Sequence, residues 1–112
     1  MQSREFQVNN HIPWEDVGKG LQRQIFGHDD KVMMVKVKFE KGAIGSLHSH
    51  PHSQVTYIES GEFEMTIGDD KKLIKKGDGF YVPPDVLHGI LCIEEGMLID
   101  VFSPMREDFI AV

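Results

Sequence analysis

The chain has 112 residues, a length that holds one domain and leaves little room for a second. Its apolar share of 40% is that of an ordinary water-exposed domain, and its net charge of −6 sets it against nucleic acid and anionic membrane as main partners. No apolar run approaches the length that spans a bilayer, and a single cysteine, Cys92, cannot form an internal disulfide.

In chain order, Met1 to Phe6 is polar and lacks the apolar run of a signal peptide, which together with the lone cysteine leads us to expect a cytoplasmic protein. Pro13-Trp14-Glu15-Asp16 reads as a loop leading to a first strand near Leu21 to Phe26, with Trp14 as a packing residue. Val35, Val37 and Phe39 alternate with Lys36, Lys38 and Glu40, and Phe63, Met65 and Ile67 alternate with Glu62, Glu64 and Thr66. Both are the period-two signature of half-buried strands. Turn signals at Ser60-Gly61, Gly68-Asp69-Asp70, Lys76-Gly77-Asp78-Gly79, Pro83-Pro84-Asp85 and Glu94-Glu95-Gly96 divide the runs. Met97 to Phe102 reads as a last strand, and Ser103 to Val112, with Pro104 and three charges, as a tail leaving the domain. Short strands at this spacing predict an all-β barrel or sandwich, with 1–20 as an N-terminal arm, 21–103 as the barrel and 104–112 as the tail. Cys92 is expected to be a buried packing residue.

Three of the six histidines fall within five positions, at His48, His50 and His52. Residues two apart on a strand face the same way, so His48 and His50 project together, and Gln54 has the same parity past the turn at Pro51. His88 must arrive by folding, from a strand after Pro83-Pro84-Asp85. Two same-face imidazoles beside an amide oxygen, with a third imidazole to come, are the makings of a divalent metal site. His52 is disturbed by the proline before it and is assigned to a substrate-facing or supporting position. His11 and His28 have no supporting context and are expected at the surface.

These residues carry a resemblance. Gly42 to Gly61 is similar to the first cupin motif: a glycine, five residues, His-x-His, three residues, a glutamate, six residues and a glycine. Gln54 stands where a glutamate is usual. Gly77 to Cys92 is similar to the second motif through Gly77, Pro83 and His88, departing from it at Asp85 and Cys92. The resemblance implies a small single-domain cupin, a double-stranded β-helix or jelly-roll barrel, with His48, His50, Gln54 and His88 as ligands of one divalent transition metal ion. Imidazole-rich sites accept nickel, zinc, manganese, iron and copper, so ligand type does not choose among them. A neutral amide in place of a carboxylate leaves the charge of the ion uncompensated, which strengthens its pull on a bound oxygen and weakens its retention.

Asp100 lies among apolar residues and shares parity with Leu98 and Phe102, so it points into the cavity if they do. It is then either a proton-transfer group or a structural aspartate paired with a cation or backbone N–H groups. Arg106 alone is an ordinary exposed arginine and matters only if the tail folds over the barrel mouth. Five segments together resemble the KdgF family of pectin-degradation proteins: Pro13 to Asp16, Phe39 to Gly45, His48 to Gln54, Gly77 to Pro84 and Ile99 to Phe109. That resemblance implies Asp100, Phe102 and Arg106 as active-site residues, a small acidic sugar as partner, and ketonisation of 4,5-unsaturated monouronates from pectin or alginate to linear keto-uronates. The competing readings are another metal-dependent cupin enzyme, a sugar isomerase or dioxygenase, and a non-catalytic sugar-binding cupin. Met97, Ile99 and Val101, opposite Asp100, form an apolar face that needs a cover, and a homodimer is expected.

Overall fold

Two long strands carry the architecture. In the computed structural model, which describes residues 2–110, β5 (Ser53–Ile67) and β8 (His88–Ser103) run antiparallel along most of their lengths, from Ser53 opposite Ser103 to Ile67 opposite His88. Around them are β1 (Glu15–Gly18), β2 (Leu21–His28), β3 (Met33–Phe39), β4 (Ile44–His48), β6 (Asp70–Lys75) and β7 (Gly79–Val82). The first half of β5 pairs with β7 and its second half with β6, while the first half of β8 pairs with β4 and its second half with β3. Each long strand therefore belongs to two sheets, one running β1-β2-β3-β8-β5-β7 and the other β4-β8-β5-β6. This is the all-β jelly-roll barrel expected.

The strands pass between sheets at a crease formed by Ser60-Gly61 and Glu94-Glu95-Gly96. These were expected to be turns that end strands. They are irregularities within continuous strands, where the β5–β8 register shifts. The reason is backbone proximity. A Cβ on Gly96 would sit 2.0 Å from the carbonyl oxygen of Ser60, and one on Gly61 would sit 2.7 Å from that of Glu94. Only glycine lets the two chains approach that closely while Gly61 takes its positive φ of 88°.

Apolar side chains fill the barrel next to the crease. Ile58 and Phe63 are fully buried, and Phe39, Met65, Cys92 and Leu98 join them, with the Phe39 and Phe63 rings edge to face at 5.3 Å. Away from the crease the sheets diverge into a mouth, and there the inward positions become polar.

Three more expectations need correction. Glu15 and Asp16, placed in a loop, open the edge strand β1, Glu15–Gly18. All four of its residues are exposed, so it has no apolar alternation to read. It is held by backbone pairing and by two side-chain pairs, Arg23 Nε donating to Glu15 at 2.9 Å and Gln22 to Asp16 at 3.1 Å. The tail does not leave the barrel. It turns back over the mouth through the single helical turn α1 (Glu107–Ile110), and Met105, Phe109 and Ile110 pack on the buried trio Met33, Val35 and Phe102. Its terminal pair 111–112 lies outside the described residues. His28, expected at the surface, is half-buried at the end of β2, where its backbone N–H donates to Ser3 Oγ. His11 is exposed and Cys92 buried, as expected, and Trp14 packs on the outside of the sheet beneath Lys38, whose Nζ lies 3.9 Å from the ring centroid. The N-terminal arm is pinned by Gln24, which is fully buried and donates to the carbonyls of Asn9 and Ile12.

Candidate metal centre and cavity

The mouth gathers the three histidines. His48 ends β4 and lies directly opposite His88, the first residue of β8, while His50 follows in the loop to β5. The backbone N–H of Asp85, which takes the left-handed conformation (φ 66°) in the Pro83-Pro84-Asp85 turn, donates to the His50 carbonyl and fixes that loop. One ring nitrogen from each imidazole lies within 4.8 Å of the others, and the ring centroids are 4.4 to 5.6 Å apart.

Each imidazole is oriented through its other nitrogen. Nδ1 of His48 contacts the Ser46 carbonyl at 2.7 Å, Nδ1 of His88 the Val86 carbonyl at 2.9 Å, and Nδ1 of His50 the His52 carbonyl at 3.2 Å. A carbonyl only accepts, so at His48 and His88 Nδ1 carries the proton and Nε2 is left as a lone pair within the cluster. Burial holds His50 and His88 toward the neutral form, with the Arg106 charge adding to the effect at both.

Gln54 comes from the other sheet. Its amide donates to Thr56 Oγ1 and to Asp100 Oδ1, each at 3.1 Å, which fixes Oε1 toward His50 Nε2, also at 3.1 Å. A neutral His50 has one proton and two acceptors: on Nδ1 it meets the His52 carbonyl and leaves Nε2 and Oε1 as two lone pairs facing each other, and on Nε2 it donates to Oε1. In the first form a cation between the two lone pairs satisfies both. Two cis ligands each ~2.1 Å from an ion lie about 3 Å apart, which matches. The donor set fits a divalent metal: His48, His50 and His88 form a cluster able to hold one, and Gln54 is the fourth donor that the geometry offers.

Asp100 lies opposite Thr56 in the β5–β8 pairing, inside the cavity as its parity requires. It is buried, and its Oδ1 accepts from Thr56 Oγ1 at 2.5 Å as well as from Gln54. Burial pushes its carboxyl up to about 6, although the Thr56 and Gln54 hydrogen bonds and the Arg106 charge pull the other way. Both donors take Oδ1, so a proton on Asp100 resides on Oδ2. Phe102, next along the same face, is buried edge-on to His50 at 5.8 Å.

Arg106 lies over the mouth because the tail returns. Its guanidinium stacks over Phe109 at 4.3 Å from the ring centroid and is 5.1 Å from that of Phe102. Together with His48, Gln54, His88, Asp100 and Phe102 it lines a cavity of about 270 Å³. At ~30 Å³ per water that is the space of about nine waters, which suits one small polar ring. The structure thus brings all seven candidate residues together. It also adds one that sequence patterning missed. Arg23, on β2, lines the same cavity and stacks over Phe109 at 3.9 Å. Its strand parity with Leu21 and Ile25 was the available signal, and a charged residue at an inward position is easily passed over. His52 lies 5.4 Å from His50 and 6.5 Å from Phe102, ring to ring, and its buried Nδ1 has no hydrogen-bond partner among the described residues.

With this geometry in hand, the likeness to known proteins becomes decisive. Residues 35–102 match the family described as Cupin domain. The chain belongs to the cupin family. It is 42% identical over 109 residues to the pectin degradation protein KdgF of Dickeya dadantii, covering 96% of this chain and 99% of that one, so within the cupins it belongs with KdgF. Two solved structures superpose along almost the whole chain. An RmlC-like cupin from Shewanella frigidimarina has a TM-score of 0.94 at 47% identity, covering 96% of this chain and 97% of the other. KdgF from a Halomonas species has a TM-score of 0.91 at 38% identity, covering 96% and 99%. Among the described residues, no helix is long and apolar enough to cross a membrane.

Proposed function

We propose that this cupin converts 4,5-unsaturated monouronates, the small acidic sugars released by cleavage of pectin or alginate, into linear keto-uronates, with one divalent metal ion held by His48, His50, Gln54 and His88. The observation that carries the reading is Asp100: a buried carboxyl, still partly protonated near neutral pH, hydrogen-bonded to the amide beside the histidine cluster and facing the same cavity as a guanidinium. Membership with KdgF supplies the pectin-derived substrate class.

The chemistry fits these groups. The substrate is a cyclic enol ether bearing a carboxylate. Ketonisation places a proton on one alkene carbon and water on the other, after which the hemiketal opens and the water is returned at the aldehyde end, so no atoms are gained or lost overall. Asp100 delivers the proton from Oδ2, at a carboxyl whose affinity for it is matched to neutral pH. Thr56 and Gln54 hold that carboxyl in place and accommodate the charge left on Oδ1. Arg106 holds the uronate carboxylate through paired N–H groups, and Phe102 packs against the sugar ring. A bound divalent ion supplies Lewis-acid polarisation and orientation of substrate oxygens.

The test is purified protein with unsaturated monouronate, following loss of the alkene absorbance with and without a chelator. Rapid loss that the chelator abolishes and added metal restores is expected. Loss at the spontaneous rate, with metal bound, would overturn the proposal.

We also infer a homodimer in the cytoplasm. Met34, Val101, Val55 and Tyr81 lie side by side in the registers of β3, β8, β5 and β7, on the outer face of the larger sheet. Val55 and Tyr81 are both more than half exposed, and such a row favours a partner sheet. The free thiol of Cys92 fits a reducing compartment.

A further inference from the structure

The guanidinium of Arg106 is fixed before any ligand arrives. Its Nε and Nη2 donate to the two carboxylate oxygens of Asp108, at 3.1 and 2.9 Å. One face lies over the Phe109 ring, and that ring is itself held by Arg23 stacked on it and by Phe102 packed edge-on at 5.7 Å. The Phe109 N–H donates to the Arg106 carbonyl at 3.1 Å, closing the short turn that sets these side chains together.

A guanidinium has two edges that grip a carboxylate with paired hydrogen bonds, Nε with Nη2 and Nη1 with Nη2. Asp108 takes the first. The second belongs to a side chain that lines the cavity and is only 12% exposed, while the Asp108 side chain is 60% exposed on the outside. An exposed ion pair two residues apart would ordinarily count for little. This one differs because its cation is largely shielded from water, bonded at two atoms and backed by a ring.

We propose that Asp108 is a positioning residue: its carboxylate clamps the outer edge of Arg106 so that the remaining edge is presented to the substrate carboxylate in the cavity. This rests on the uronate reading above. Without the clamp the long arginine side chain samples other rotamers, and the loss falls on binding of the carboxylate rather than on proton delivery by Asp100.

The test compares wild type, Asp108→Asn and Asp108→Glu on the unsaturated monouronate and on its methyl ester, with metal content and thermal midpoint measured for each. On the acid, Asp108→Asn raises KM about tenfold and leaves kcat within about threefold, and Asp108→Glu recovers most of the loss. On the ester, which offers no anionic carboxylate, wild type and Asp108→Asn are equal. A KM on the acid that falls would make Asp108 a competitor of the substrate, and an unchanged KM would make it a surface ion pair. An equal loss on acid and ester would make it merely structural. Any of the three overturns the proposal and leaves the uronate reading standing. A metal-loaded wild type that turns over neither compound sinks the uronate reading. The clamp is then measured by calorimetry with saturated galacturonate, where Asp108→Asn must weaken binding about tenfold, and equal or absent binding in wild type and variant overturns it.

Discussion

The two ends of this barrel are made by the same strands and obey different rules. Near the crease, the inward positions of β5 and β8 are Ile58, Phe63, Cys92 and Leu98, apolar and packed together. Toward the mouth they become Gln54, Thr56, His88 and Asp100, equally buried but polar. One end is arranged for folding free energy. The other gives some of it up, because a buried carboxyl and convergent lone pairs are costly without the ligand they await.

The sharpest way to break this contrast is to truncate one residue at each end. Phe63→Ala should destabilise the protein by about 3–5 kcal/mol in chemical denaturation, while the folded fraction still binds one equivalent of metal. His88→Ala should abolish stoichiometric metal binding, measured by elemental analysis, and reduce turnover more than ~10³-fold. Because its imidazole borders an open cavity that water refills, it should cost the metal-free fold only about 1 kcal/mol. Equal stability losses would erase the distinction.

Asp100→Asn sharpens the contrast in one residue. Activity should fall about 10²–10³-fold with metal retained, the usual range for a general acid. The metal-free variant should be more stable than wild type at pH 7. The Asp100 carboxyl is held at about 6, above its ordinary 3.8. Below pH 4 it is protonated in both folded and unfolded chains and contributes nothing. Between pH 4 and 6 the unfolded chain releases the proton first, so wild-type stability declines as pH rises, and above pH 6 the full penalty of about 3 kcal/mol is present. Denaturation curves from pH 3.5 to 8 should show the variant gaining over that window, and a constant difference would refute the assignment. The smallest effect is expected of Gln54→Glu. Adding a negative charge beside the ion should tighten metal binding about tenfold, the attraction being partly offset by desolvation. It should also move the fall of activity with pH to higher values, because two adjacent carboxyls share a proton. Unchanged affinity in a metal titration would remove Gln54 from the donor set.

What the sequence disclosed divides along similar lines. Val35, Val37 and Phe39, and likewise Phe63, Met65 and Ile67, announce their strands because one face meets the core and the other meets water. His48 and His50 are legible through parity, and Asp100 through its apolar neighbours. β1 was hidden because an all-exposed edge strand has no core to pattern it. The crease was misjudged because glycine marks a turn and a close strand crossing with the same letter. The return of the tail could not be seen, since Met105, Phe109 and Ile110 become a packed face only once the trio Met33, Val35 and Phe102 exists to receive them. Arg23 and Asp108 were silent for the same reason, their meaning lying in a ring supplied by that turn.

The close crossing at Gly61 and Gly96 has a wider consequence. Because backbone meets backbone there, with no room for even a methyl group, the relative pitch of the two sheets is set without help from the chemistry at the far end. Residues around the opening are then free to drift, trade one ligand type for another or admit a different sugar, while the angle at which they confront each other is inherited unchanged.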